Sequence, residues 1–232
     1  MKPPKPKATA TANASTKAKP KVRAFPAGDM DAKRLLEKYR CPTGFHAVRA
    51  QFMGAIASPI QQIQPLQEVK ALWGGAFPPF KTMEDVNQLM TVLIMGLWNQ
   101  LSAHTNAERP FQLMQFRGAA TDDMLRNQAK VRCEELEAFR NGFYQRQASI
   151  KVSPDIAKAC DVIDELIPMY EGMVNIPANP REPQSERDAL AKNLDGLTRI
   201  IEMEINFIIR AVAKDRAGLA GANPTGPPPT MH

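Results

Sequence analysis

Two of the three histidines, three cysteines and a short run of carboxylates are the residues here with chemistry to offer. Their spacing argues against each obvious use. His46 falls on a helical pattern beside Arg49, and His104 falls near a helix end; neither has a second His, Cys or carboxylate at ligand spacing, so neither makes a metal site. Both are expected to act as helix-terminal histidines interacting with the dipole. Cys41, Cys133 and Cys160 are far apart and odd in number, which suggests neither a disulfide framework nor a metal knuckle, and points to a reducing compartment. Asp161, Asp164 and Glu165 share a helical face without a calcium-type loop, so a solvated surface is expected. Glu202, Asn206 and Arg210 form a polar ladder read as intrahelical pairing. The chain also contains no P-loop or dinucleotide glycine pattern, no His-Glu-x-x-His and no Gly-x-Ser-x-Gly. The expectation is a non-enzymatic protein with no catalytic residue, no cofactor and no metal.

Binding is the remaining option, and the stretch "ALWGGAFPPFKTMEDVNQLM" from Ala71 to Met90 is its first candidate. Two glycines, two prolines and the aromatics Trp73, Phe77 and Phe80 crowd one helix junction. Two readings stand. The aromatics bury against a neighbouring helix while Gly74-Gly75 and Pro78-Pro79 shape the loop; or part of the loop stays exposed and anchors a protein partner, since aromatics in a rigid loop lose little entropy on binding. Twelve methionines add adaptable apolar surface.

Charge offers a second candidate. Lys2, Lys5, Lys7, Lys17, Lys19, Lys21 and Arg23 precede the first acid, Asp29. The whole chain of 232 residues nets +6, so the remainder carries 23 basic against 24 acidic residues and has no basic bias. Residues 1–27 combine Pro, Lys, Ala and Thr with almost no large apolar residue and are expected to form a disordered arm. The alternative function follows: non-specific attachment to nucleic acid, the seven cations contacting phosphates. No recognition motif or basic helical face accompanies them.

Residues 218–232 are Gly/Pro-rich and are expected to be a mobile tail, with a polyproline tendency at Pro227 to Pro229. The N-terminus lacks the apolar core of a secretory signal. The longest nearly apolar run, Leu89 to Trp98, is far short of the roughly 20 residues of a membrane span. A cytoplasmic protein with no membrane partner is the expectation.

The elements that must position these groups are helices throughout. The pattern predicts an all-α, bundle-like domain of six to seven helices over 28–217. A short helix starts at Asp29 and ends near Cys41-Pro42. Another, from Gly44 to Pro59, sets Phe45, Val48, Phe52 and Ile56 on one face. A short helix over "LQEVKALW" leads into the aromatic stretch. Thr82 then caps a helix with Val86, Leu89, Met90, Leu93, Ile94, Leu97 and Leu101 as a stripe, thickened by Val92, Met95 and Trp98, and predicted to be the central core helix. Thr121 caps a long helix with a break or bend at Gly142. Ser153-Pro154 opens a helix carrying Ile156, Cys160, Ile163, Leu166 and Ile167. The last helix, capped by Ser185, sets Leu190, Leu194, Leu197, Ile201, Ile205, Ile208 and Val212 on one face. Its length and apolar face make it the element expected in any homo-oligomer.

The run "GAIASPIQQIQPLQEVKALWGGAFPPFKTMEDVNQLMTVLIMGLWNQLSAH", Gly54 to His104, resembles the YecA/YgfB family of bacterial helical proteins. The matching order is a small-residue helix end, a proline, a short helix into Leu72-Trp73-Gly74, Pro79-Phe80, an acid-capped helix and the pair Trp98-Asn99. Phe139 with Gly142-Phe143 looks like the family's aromatic-x-x-Gly-Phe element, and "SPDIAKACDVIDEL" like the acidic helix after it. The likeness spans Gly44 to Leu166. Three features depart from the pattern: the C-terminus lacks the cysteine-rich metal-binding segment of some members, Arg146 stands where a second glycine is expected, and the basic arm is extra. The resemblance implies a compact helical protein acting through protein contacts in bacterial regulation, with no agreed enzymatic activity.

Overall fold

The computed structural model describes residues 28–60, 63–176 and 181–221, with side chains through Gly218. Among them every regular element is helical, so the fold is all-α. In chain order these are α1 (Asp29–Lys38), α2 (Phe45–Ala57), α3 (Pro65–Ala71), α4 (Met83–Met90), a π-helical stretch (Thr91–Trp98), α5 (Asn99–Ser102), a 3-10 turn (Ala103–Thr105), α6 (Asp122–Tyr144), α7 (Pro154–Val174) and α8 (Gln184–Gly221). The expectations for residues 1–27 and for the chain beyond 221 lie outside the described residues. α8 continues to Gly221, past the point where the Gly/Pro-rich tail was expected to begin.

The central helix is α2, not the helix expected to hold that place. Ala47, Val48, Ala50, Phe52, Met53, Gly54, Ala55, Ile56 and Ala57 are all buried, which leaves α2 covered on every side over most of its length. Its many alanines explain the mismatch. They add little to an apolar stripe in the sequence, yet their small side chains allow neighbouring helices to close in. Burying Phe52 alone contributes about 2–3 kcal/mol.

α6 lies along α2 at a distance set by two glycines. A methyl group on Gly54 would overlap the carbonyl oxygen of Phe139, and one on Gly142 would overlap that of Gln51. Gly142 does not break α6, which runs from Asp122 to Tyr144 without interruption; it makes room for α2. α7 packs on α6, and α8 closes the bundle against α7 and α2. Arg216, near the end of α8, donates to the carbonyls of Ile56 and Ser58, satisfying acceptors that the end of α2 leaves open. Burial lowers the pKa of that guanidinium from its ordinary value.

The helix after Thr82 sits at the periphery, against α1, α2 and α3. Leu89, Leu93, Leu97 and Leu101 point inward, while Met95 is 62% exposed. Those leucines recur every four residues, a step that drifts by about 40° around an α-helix of 3.6 residues per turn. The wider π turns at Thr91–Trp98 offset the drift and keep the row on one side.

Between α5 and α6 the chain runs extended and crosses α6 and α8 as a strap. Side chains hold its backbone. Asn206 accepts from the Phe111 N–H at 2.7 Å and donates to the Phe111 carbonyl at 2.9 Å. Glu202 accepts from the Leu113 N–H at 2.9 Å, and Glu135 from the Met114 N–H at 2.8 Å, while Arg132 donates to the Met114 carbonyl. Of the expected ladder, Asn206 donates to the Glu202 carbonyl one turn back at 2.6 Å, but both side chains also hold the strap, and no described bond joins either to Arg210. Arg132 and Glu135 also pair with each other, and each is 1% exposed. Burial raises the Glu135 carboxyl above its ordinary pKa, against the opposing pull of Arg132.

Candidate functional site: an aromatic cluster at the α3–α4 junction

The glycines of the aromatic stretch serve the end of α3. Gly74 and Gly75 take φ of 75° and 100°. Their N–H groups close the helix by donating to the carbonyls of Ala71 and Lys70 at 3.1 and 3.0 Å, a Schellman closure that needs a left-handed residue. A side chain at either glycine would meet no neighbour, so backbone conformation is what fixes these positions. The chain thereby reverses and carries Phe77 and Phe80 back toward α1.

Trp73, Phe77 and Phe80 meet there with a fourth ring, Tyr39, which the sequence reading did not single out. Trp73 Nε1 donates to the Tyr39 carbonyl at 3.1 Å. The Tyr39 and Phe80 rings meet edge to face at 5.4 Å, and Phe77 lies 5.9 Å from Phe80. All four are half-buried, packed on the core beneath but open to solvent on one side. The packing reading holds for the inner side of the rings, and part of the loop stays exposed. Pro78 is buried and Pro79 exposed, so the proline pair anchors one side of the loop.

Charges rim the cluster. The Lys38 ammonium lies over the Tyr39 ring at 4.9 Å, and that of Lys70 over Phe77 at 5.3 Å. Asp85 ties α1 to α4: it accepts from Lys38 Nζ at 2.9 Å and from the Tyr39 hydroxyl at 2.8 Å. Its own N–H donates to Thr82 Oγ1, the N-cap of α4. The bonds from Lys38 and then Tyr39 hold the Asp85 carboxyl far below the ordinary carboxylate range, and Asp85 in turn raises Lys38. The signal for Tyr39 in the sequence was its place at the end of the first helical pattern, where a large ring can fold back on a following loop.

The other chemical candidates are dispersed. His46 sits at the start of α2, where the dipole disfavours a cation; Glu134 is its partner, at 2.6 Å, rather than the helix end. His104 Nδ1 lies 2.9 Å from the Arg109 carbonyl. Burial pushes the thiols of Cys133 and Cys160 up to about 11, and raises that of Cys41 too. Asp164 faces Arg140 at 3.6 Å, while Asp161 and Glu165 are exposed. Among the described residues no group of three or more His, Cys, Asp or Glu side chains is placed to hold a metal ion. No described helix is long and apolar enough to cross a membrane. Lys2, Lys5, Lys7, Lys17, Lys19, Lys21 and Arg23 lie outside the described residues.

Fold and site together define an all-helical domain with a half-open aromatic cluster at one helix junction. Comparison with family models, curated proteins and solved structures returns no match.

Proposed function

We propose that this chain is a non-enzymatic, cytoplasmic interaction protein that holds a protein partner on the cluster of Tyr39, Trp73, Phe77 and Phe80. The supporting observation is that four aromatic rings are braced by the core and by one another, yet each keeps part of its surface open to solvent. Rings held in one arrangement before binding surrender little freedom on binding, and aromatics of this kind dominate the energetics of interfaces. The order of motifs that resembles the YecA/YgfB family, bacterial proteins implied to act through protein contacts, points the same way. Phe77 and Phe80 belong to that stretch.

The test is recovery of partners from a bacterial lysate with the full chain, the chain starting at Gly28 and a Phe77→Ala variant, with and without nuclease. Phe77 is half-buried, so its truncation costs about 1–2 kcal/mol and leaves a folded protein, as circular dichroism will show. A partner kept by the first two after nuclease and lost by Phe77→Ala supports the proposal. Recovery that disappears with nuclease or with residues 1–27 overturns it. That result favours the second reading, phosphate contact through the seven cations of the N-terminal arm.

A further inference from the structure

α8 is apolar on two opposite sides. Leu194, Ile201, Ile205, Ile208 and Val212 face the bundle and are 2% exposed or less. On the outward side Ile200, Met203 and Phe207 are 45%, 67% and 37% exposed. A single apolar residue on a surface needs no explanation. Three in successive turns, directly opposite the core, depart from the charged outer face of an ordinary surface helix.

Their spacing has a form. Gly196, Ile200, Met203 and Phe207 follow one another at steps of four, three and four residues, the alternation of d and a positions in a heptad. The same register puts Asn193 at the preceding a position and Arg210 and Lys214 at the following d and a positions. The seam is therefore apolar in the middle and polar at both ends. From Asn193 to Lys214 it extends about 33 Å along the helix at 1.5 Å per residue.

The flanks identify the occupant. Arg199 falls at a g position and Glu204 at the next e position, five residues on. In a parallel pair of identical helices each g residue meets the e residue five places further along its partner, and symmetry repeats the contact. Arg199 and Glu204 have opposite charge at that interval, and neither takes part in an ion pair among the described residues. An antiparallel pair sets g against g, and the g positions Lys192, Arg199, Asn206 and Ala213 hold no carboxylate. We propose that the outward face of α8 binds a second copy of this chain in parallel, with the twofold axis along the seam. This surface is separate from the aromatic cluster, so either proposal can fail without the other.

Sedimentation equilibrium of the full chain over a range of concentrations tests it. The expected species at high concentration has twice the 25.7 kDa mass of the chain. Met203→Glu yields a monomer with unchanged circular dichroism, because that side chain already faces water. Arg199→Glu and Glu204→Arg each raise the dissociation constant about tenfold by turning two attractive contacts repulsive, and an equimolar mixture of the two variants recovers the original affinity. Under oxidation Asn193→Cys joins to itself, and so does Lys214→Cys. The proposal is overturned by a chain that stays monomeric at every concentration, by a dimer indifferent to Met203→Glu, or by Asn193→Cys joining only to Lys214→Cys.

Discussion

Gly54 of α2 and Gly142 of α6 face each other's helices where the two backbones come into direct contact. Gly54 rests on the backbone of Phe139 and Phe143, and Gly142 on that of Gln51 and Ala55. Because each contact is with backbone rather than with the end of a flexible side chain, neither can be relieved by a rotamer change. Gly54→Ala and Gly142→Ala each force the helices apart and destabilise the fold by about 1–3 kcal/mol despite alanine's better helix propensity. Urea denaturation will show a lower midpoint in both variants. Gly172 meets nothing within 4 Å, so alanine there is neutral or stabilising and serves as the control.

The strap depends on Asn206, which is 8% exposed and serves both backbone groups of Phe111. Asn206→Leu keeps the volume but leaves a buried donor and a buried acceptor unpaired, at about 1–3 kcal/mol for each. Hydrogen exchange is the direct readout. The Phe111 amide loses protection well before those of α2, and a variant in which it remains as protected as in the parent contradicts this role.

Acid acts on the α1–α4 clasp. The folded-state pKa of Asp85 lies below its ordinary value of 3.8, so its contribution is present above that value and is lost as pH falls through and below it. Loosening of α1 from α4 is expected in that window, visible as a change in Tyr39 and Trp73 fluorescence. Asp85→Asn abolishes the dependence, with the emission at neutral pH already resembling that of the parent in acid.

Arg146 holds a left-handed conformation, φ 61°, just after α6. Such a conformation costs a non-glycine residue about 1–2 kcal/mol. Its guanidinium meets Glu68 at 3.3 Å, and the Glu68 side chain is 1% exposed. Arg146→Gly relieves the backbone but removes the cation of a buried carboxylate; with the guanidinium 49% exposed and Gln51 still donating to Glu68, the loss is about 2–3 kcal/mol, more than the relief. Thermal denaturation is expected to show a lower Tm for Arg146→Gly, and a higher one for the double variant Arg146→Gly/Glu68→Gln than for the single.

Helix positions were legible because their punctuation is local. Thr82, Thr121 and Ser153 cap α4, α6 and α7 through their own hydroxyls, and the apolar faces of α7 and α8 repeat with helical period. The centre of the fold was not legible. α2 is built on alanine and glycine, residues whose importance lies in what they leave room for, and this shows only when α6 is laid against them. The strap escaped for a related reason. Its partners, Glu135, Glu202 and Asn206, lie 21 to 95 residues away in sequence and look like ordinary polar positions on helices. Three of the four rings of the candidate site could be named from their crowding in one stretch. Tyr39 belongs to another element and joins them only through the fold.

The bonds from Arg216 to the end of α2 span about 160 positions of the chain. During synthesis α2 leaves the ribosome long before the residue that completes its end is made. A nascent chain therefore carries its central helix, α2, without α8 to cover it until α8 has been made. Chaperone dependence during translation, and sensitivity to loss of the α8 segment, follow from where one arginine sits.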